Sequence, residues 1–420
     1  MVYILKNSWA LLLGLFLLML GNGTQGTLLS VRGALEGFGP TTMSYVMSAY
    51  YVGFLLGSIL APKLIRRVGH VRVFAALASL ISAAFIGYAM APEPYIWAVL
   101  RFVVGFGFSG VYVVAESWLN DAATNETRGQ ALSAYMIVQM LGLVLAQFLI
   151  LTADPSGFIL FAVISILVSV SFAPILLSVS PAPAFHASKP MTLRRLFKTS
   201  PLGSVGTFIL GGVLSILFGM TAVFATEIGL STPRISLLVG VSYLGAVVMQ
   251  YPIGWVSDKI DRRLLVVMIT GFAAVAISIS LPFAGSFYTL LALGFLIGAT
   301  GSPLYSLLIA HTNDYLDVED MANASGALIF LNGVGAAATP VLVGMAMSQF
   351  GAFSYYYALI ILMGSISLYG AYRMTRRNAI PIEETMSYTP VMPQTTPIAA
   401  EVAQELAIEA AEAEEQATGM

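Results

Sequence analysis

Residues 243–263 read YLGAVVMQYPIGWVSDKIDRR. An apolar run gives way within a few positions to Asp258, Lys259, Asp261, Arg262 and Arg263. The passage has an earlier copy at residues 51–72, YVGFLLGSILAPKLIRRVGHVR. Tyr51-Val52-Gly53 returns as Tyr243-Leu244-Gly245, a shift of 192 that also sets Arg67 on Lys259 and His70 on Arg262. At a shift of 193, Gly105 falls on Gly298, Tyr112 on Tyr305, Asp121 on Asp314, Gln139 on Asn332 and Gly142 on Gly335. The chain is one unit written twice in the same order. Such a parallel repeat suits two helical bundles that rock about a central site.

The surroundings of these copies belong to lipid. The 420 residues are 58% apolar and 10% charged, where a soluble domain carries about 25% charged residues. Stretches of about 20 apolar residues cross a bilayer as helices. We read twelve, over 8–31, 42–61, 71–91, 95–118, 130–152, 157–179, 201–227, 234–256, 264–284, 287–311, 323–348 and 353–374. The expected fold is therefore an all-α membrane protein with two pseudo-symmetric six-helix bundles. The bundles are expected over 1–179 and 201–374, joined by a Pro-rich basic linker, 180–200, and followed by a mostly disordered tail, 375–420. With twelve spans both termini share one side, and the loops there hold sixteen of the nineteen Lys and Arg residues. The positive-inside rule makes that side cytoplasmic.

Composition also excludes much. There is no cysteine, so disulfides, thiolate metal sites and cysteine nucleophiles are out. His70, His186 and His311 lie far apart and lack metal-ligand spacing. A net charge of -2 offers nothing to nucleic acid. We expect no cofactor, no metal and no enzymatic activity.

The run Gly254-Trp255-Val256-Ser257-Asp258-Lys259-Ile260-Asp261-Arg262-Arg263 resembles the loop between helices two and three of the major facilitator superfamily, Gly-x-x-x-Asp-Arg/Lys-x-Gly-Arg/Lys-Arg/Lys, with Asp261 in the glycine place. In the first copy Pro62 and Arg66 replace the glycine and aspartate. Arg101-Phe102-Val103-Val104-Gly105-Phe106-Gly107 resembles the family's Arg-x-x-x-Gly-x-Gly element. A closer likeness is to the YcaD-like group. It lies in Arg66-Arg67-Val68-Gly69, in Val113-Val114-Ala115-Glu116-Ser117, in Arg128-Gly129 and in Ala134-Tyr135-Met136. That group's members have no assigned substrate. The resemblance implies a secondary transporter of a small solute working by alternating access, with protons as a candidate coupling ion, acting as a monomer in a bacterial inner membrane. Export of drugs or metabolites is the rival within transport, although the Gly-Pro pair of drug–proton antiporters is missing between Tyr135 and Leu149. A non-transporting sensor or assembly factor is the rival outside it.

Arg101 is the sharpest candidate, because a charge within a span is costly and marks function or else reaches the interface. Arg101, Gly105, Phe108 and Tyr112 share a helix face at steps of four, three and four. That spacing predicts a glycine opening a cavity beside the guanidinium. Asn22 and Gln25 break an apolar span and need partners, either cargo or a neighbouring helix. Gln139 and Asn332 at matched places, with Tyr305 mirroring Tyr112, complete the expected cavity lining. Glu116, Arg128, Gly254, Asp258, Lys259 and Arg262 form the expected cytoplasmic gate, in which the resemblance has Asp258 meet the start of span five. Glu116 is expected to meet Arg128 or the basic loop near Arg67.

Overall fold

In lipid every backbone N–H and C=O must find its partner inside the chain, so a spanning segment becomes a helix. The computed structural model describes residues 2–122, 125–177, 191–381, 385, 388–391 and 396. The Arg128 side chain, most of the expected linker and residues 401–420 lie outside the described residues. The described residues contain no strand.

The first six helices are α1 (Val2–Leu35), α2 (Pro40–Val68), α3 (His70–Met90), α4 (Pro94–Ala122), α5 (Asn125–Leu149) and α6 (Ile159–Ser171). The second six are α7 (Pro201–Glu227), α8 (Thr232–Ser257), α9 (Arg262–Ser280), α10 (Phe287–Asn313), α11 (Val318–Phe350) and α12 (Ser354–Met374). Eleven are long and apolar enough to span a bilayer. α6 is shorter and continues past a turn at Phe172 into Ala173–Leu177. Among the described residues the fold is the expected one, twelve principal helices in two related sets of six, with a short helix, Leu193–Thr199, between the sets.

The repeat read from the sequence becomes a repeat of contacts. Within the first set α2 packs on α4, α1 on α5 and α3 on α6; within the second α8 packs on α10, α7 on α11 and α9 on α12. Glycine lets these backbones touch, as small residues do between membrane helices. A Cβ on Gly53 would strike the Phe102 carbonyl, and one on Gly245 the Phe295 carbonyl. Gly105 meets the Tyr50 carbonyl as Gly298 meets that of Ser242. In α5 and α11, Gly142 lies over Phe16 and Met19, and Gly335 over Phe208. These pairs differ by 192 or 193, the shifts of the sequence copies.

Between the sets, α2 packs on α11, α5 on α8 and α1 on α7. The end away from the basic loops is shut. There the Thr41 hydroxyl and Ser348 Oγ are 2.7 Å apart, the Thr41 N–H donates to the same Oγ at 3.2 Å, and Gly344 lies against Ser44 and Pro40. Toward the basic face α5 and α8 separate around a cleft of about 870 Å³, lined by Met136, Met140, Leu244, Val247, Gln250 and Tyr251.

Candidate functional site

Arg101 sits in the middle of the shut region. Its side chain points inward with the residue 5% exposed. Nη2 donates weakly to Met47 Sδ at 3.4 Å, and the guanidinium lies 4.8 Å from the centre of the Tyr50 ring. Nε and Nη1 have no hydrogen-bond partner among the described residues, nor do Gln25 Oε1 and the Tyr50 hydroxyl. A sulfur and a ring face hold a cation in place without neutralising it.

Around this group stands a polar chain on α1 and α4. Gln25 Nε2 donates to Asn22 Oδ1 at 2.5 Å, Asn22 Nδ2 donates to the Tyr112 hydroxyl at 2.9 Å, and that hydroxyl donates to Met19 Sδ at 3.4 Å. The second bundle contributes Phe218, Ala222, Val239 and Tyr243 to the same cavity. The cavity is small, about 30 Å³. In this conformation the two bundles have closed over the guanidinium.

Phe218 comes from a π-helical turn, Ile216–Met220, that interrupts α7. Such turns widen a helix by one residue and re-aim its side chains. The Phe218 ring stacks on Tyr243 with centroids 5.0 Å apart and planes 9° from parallel. It also borders a second cavity of about 40 Å³ that includes Tyr50, Tyr51, Ser58 and Asn332.

The structure brings some of the candidate residues together and sets others apart. Asn22, Gln25, Tyr112 and Arg101 come together, whereas Asn332 stands in the adjoining cavity and donates from Nδ2 to the Thr207 carbonyl at 3.3 Å. Gln139 is buried on α5, and Tyr305 is buried on α10 in the place that mirrors Tyr112 on α4. Gly105 does not open the cavity. It packs on the α2 backbone, because close approach of α2 and α4 consumes the space that spacing alone had left free. Gly107 packs on Ile81 and Leu77 of α3. Glu227 is exposed.

The gate residues fall into two groups. Arg262 is buried, pairs with Asp314 through Nη1, donates from Nε to Ser257 Oγ at 3.1 Å and reaches Asp258 Oδ1 at 3.2 Å. Lys259 lies 3.5 Å above the Trp255 ring. Asp258 also accepts from the Tyr388 N–H at 2.8 Å, and the Tyr388 ring covers Gly254. Glu116 forms a separate centre, 4% exposed, accepting from the Tyr135 hydroxyl at 2.7 Å and from Thr396.

Spacing had not singled out Tyr50, Gln147, Gln250 or Ser306. Gln147 ties α5 to α1, accepting from Thr27 Oγ1 at 3.0 Å and donating to the Gly23 carbonyl at 2.9 Å. The rule that flagged Asn22, an amide inside an apolar run, applies equally to Gln147 and Gln250. Outside the spans, burial would raise the Asp261 carboxyl. Hydrogen bonds from the Arg263 side chain and backbone outweigh it and hold the group below the ordinary carboxylate range. No group of three His, Asp or Glu side chains suited to a metal occurs among the described residues.

Two pseudo-symmetric bundles of six helices, meeting over a buried polar pocket, define a membrane transporter. The family model of the Major Facilitator Superfamily matches residues 11–231 and 203–392, and the chain belongs to that family. It is similar to an uncharacterized MFS-type transporter, YcaD, of Escherichia coli strain UMN026, at 28% identity over 81% of this chain and 88% of the relative. A second uncharacterized MFS-type transporter, from Enterobacter sp. strain 638, is 29% identical over the same shares. In fold the chain resembles a mutant of the nucleoside transporter NupG, with a TM-score of 0.74 and 14% identity over 88% of this chain and 99% of that one. It also resembles a D-xylose-proton symporter, with a TM-score of 0.64 and 14% identity over 86% and 96%. The protein is a transporter and not an enzyme.

Proposed function

We propose that this protein is a secondary transporter that moves a small solute bearing an anionic group by alternating access, with Arg101 as the group that holds it. The observation that carries the reading is the unneutralised buried guanidinium. Two of its nitrogens lack a partner among the described residues, in a pocket lined from both bundles. Burying an unpaired charge costs several kcal/mol, and a carboxylate or phosphate accepting from those nitrogens in bidentate fashion would offset that cost. The pocket is nearly closed and the basic face is spread, so the conformer is an inward-facing one if the basic face lies in the cytoplasm. We place both termini there, in a bacterial inner membrane like that of the relatives' hosts. A proton as coupling ion would have Glu116 available as a buried carboxylate on the same passage.

Arg101→Gln and Arg101→Lys test the role of the charge. In purified protein screened against pooled carboxylates, phosphates, sugars, amino acids and drugs, thermal stabilisation by an anionic pool is expected for the native chain. Arg101→Gln should lose it and Arg101→Lys should weaken it, since lysine lacks the bidentate fork. An Arg101→Gln chain stabilised by the same pool to the same degree would remove Arg101 from the binding role.

A further inference from the structure

The cleft on the basic face is crossed by the chain's own C-terminal segment. The Tyr388 N–H donates to Asp258 Oδ1 at 2.8 Å, and Gln250 Nε2 donates to the Tyr388 hydroxyl at 3.1 Å. Its ring lies so close to Gly254 that a Cβ there would come within 2.5 Å of it. Val391 then makes two bonds to one side chain: its N–H donates to Ser306 Oγ and its carbonyl accepts from the same hydroxyl, each at 2.9 Å. Thr396 is fully buried; its N–H donates to Glu116 at 3.3 Å and its hydroxyl donates to the same carboxylate.

These contacts lie on both sides of the divide. Gln250 and Gly254 belong to α8, Asp258 follows its last residue and Ser306 belongs to α10, whereas Glu116 belongs to α4 of the first bundle. The bonds add to the hydrogen bond that the Glu116 carboxylate already accepts from the Tyr135 hydroxyl. They exist only while the bundles stand apart on the basic face. Glu116 lies fifteen residues from Arg101 along α4, about 22 Å at the helical rise, so the segment sits between the Arg101 pocket and the opening.

We propose that the C-terminal segment is a tethered plug: through Tyr388, Val391 and Thr396 it docks between the bundles on the basic face, blocks the exit from the Arg101 pocket and holds the transporter in this conformer. The tether makes it effective. A segment joined to α12 by a short run of chain is present at an effective concentration on the order of millimolar, so a dilute solute on that side competes poorly with it. The plug also occupies Asp258, the carboxylate that the family's loop would use to close the basic face. Docking and closing therefore exclude each other, and any change that releases the segment shifts the population toward the closed basic face. This inference rests on the transporter reading of the fold and is independent of what Arg101 holds.

The full-length chain has no native cysteine, which makes a direct test clean. Ser302→Cys places a reporter in the cleft wall beside Tyr388. Its alkylation by a membrane-impermeant maleimide from the basic face should be slow in the otherwise native chain. Adding Tyr388→Ala with Thr396→Asp, which sets a second carboxylate against Glu116, should speed it on the order of tenfold or more. A synthetic peptide of residues 385–397, at millimolar concentration, should restore protection. Ser306→Cys with Val391→Cys gives a second readout that does not depend on destabilising the tail. A docked segment forms an intramolecular disulfide under mild oxidation. An unchanged alkylation rate in the tail variant, or failure of the Ser306→Cys and Val391→Cys pair to cross-link, overturns the plug.

Discussion

The α2–α3 turn and the α8–α9 turn occupy the same place in the two bundles, yet different chemistry holds them. At the first, Gly69 makes the corner at φ +87° and ψ 162°, a region essentially closed to other residues. His70 then ties α3 to α4, with its Nε2 and Ser117 Oγ 2.9 Å apart. At the second, Asp261 stands in the glycine position at φ -53° and caps α9 by accepting from the Arg263 N–H at 2.9 Å. Arg262, the counterpart of His70, reaches across to Asp314, just past the end of α10. One turn thus has a glycine corner and a His70–Ser117 hydrogen bond, the other a cap and a buried ion pair. The charged version also supplies the carboxylate, Asp258, that the C-terminal segment grips. The first copy has Arg66 at the matching position and offers nothing of that kind. The two turns occupy matching places with different backbone conformations and different chemistry, and only the second carries a carboxylate at the place of Asp258.

The largest expected effect comes from the ion pair. Arg262 and Asp314 have side chains only 2% and 4% exposed. Removing Asp314 takes away the buried partner of Arg262 and leaves it the part-exposed Asp258 and the Ser257 hydroxyl, at up to about 3–5 kcal/mol. Asp314→Ala should destabilise the protein by that order in chemical denaturation in detergent. Arg262→Met combined with Asp314→Leu should recover most of the loss, because two apolar groups need no partner. If the double variant is as unstable as the single one, the pair is held by something other than mutual charge.

An intermediate effect is expected at the corner of the first copy. Gly69→Ala forces a Cβ into a conformation that costs on the order of 1–3 kcal/mol. Open space surrounds the position, so strain and not collision would be the cause. The same denaturation measurement checks it, and a neutral result would show that the two turns share one backbone solution after all. Smaller still is Asp261→Ala. Loss of a helix cap costs about 0.5–2 kcal/mol, and the side chain is part-exposed. Because its carboxyl is held below the ordinary range by Arg263, the stability it adds is present above the carboxyl's unfolded value and fades as pH falls through the lowered folded value. The gap between native and Asp261→Ala proteins should therefore narrow on acidification below about pH 4. A gap that stays constant there would assign the effect to helix propensity.

Much of this was legible before any coordinates. Apolar runs near 20 residues long leave a chain in lipid little choice but helix, and the shifts of 192 and 193 name the residues that meet in each bundle. Gly53 and Gly245, or Gly105 and Gly298, could be paired from the letters alone. Arg101 could be marked because a charge within an apolar run is expensive wherever it points. The partners of that charge were not legible. Met47 and Tyr50 lie on another helix, and nothing in local spacing distinguishes the glycine that opens a cavity from the one that admits a neighbouring backbone.

The division follows from the range of the interactions. Span length, face periodicity and loop charge are local or additive properties, and the sequence by itself determined them: twelve helices, two related sets and one basic face. Which helices approach, how far they part and what fills the gap depend on contacts between residues separated by up to hundreds of positions. Only the tertiary structure decided that Asn22, Gln25 and Tyr112 form one chain beside Arg101, that the π-helical turn in α7 brings Phe218 over it, and that Thr396 reaches back across 280 residues to Glu116. A polar side chain in a membrane protein must find a partner, but the sequence does not say from where along the chain that partner will come.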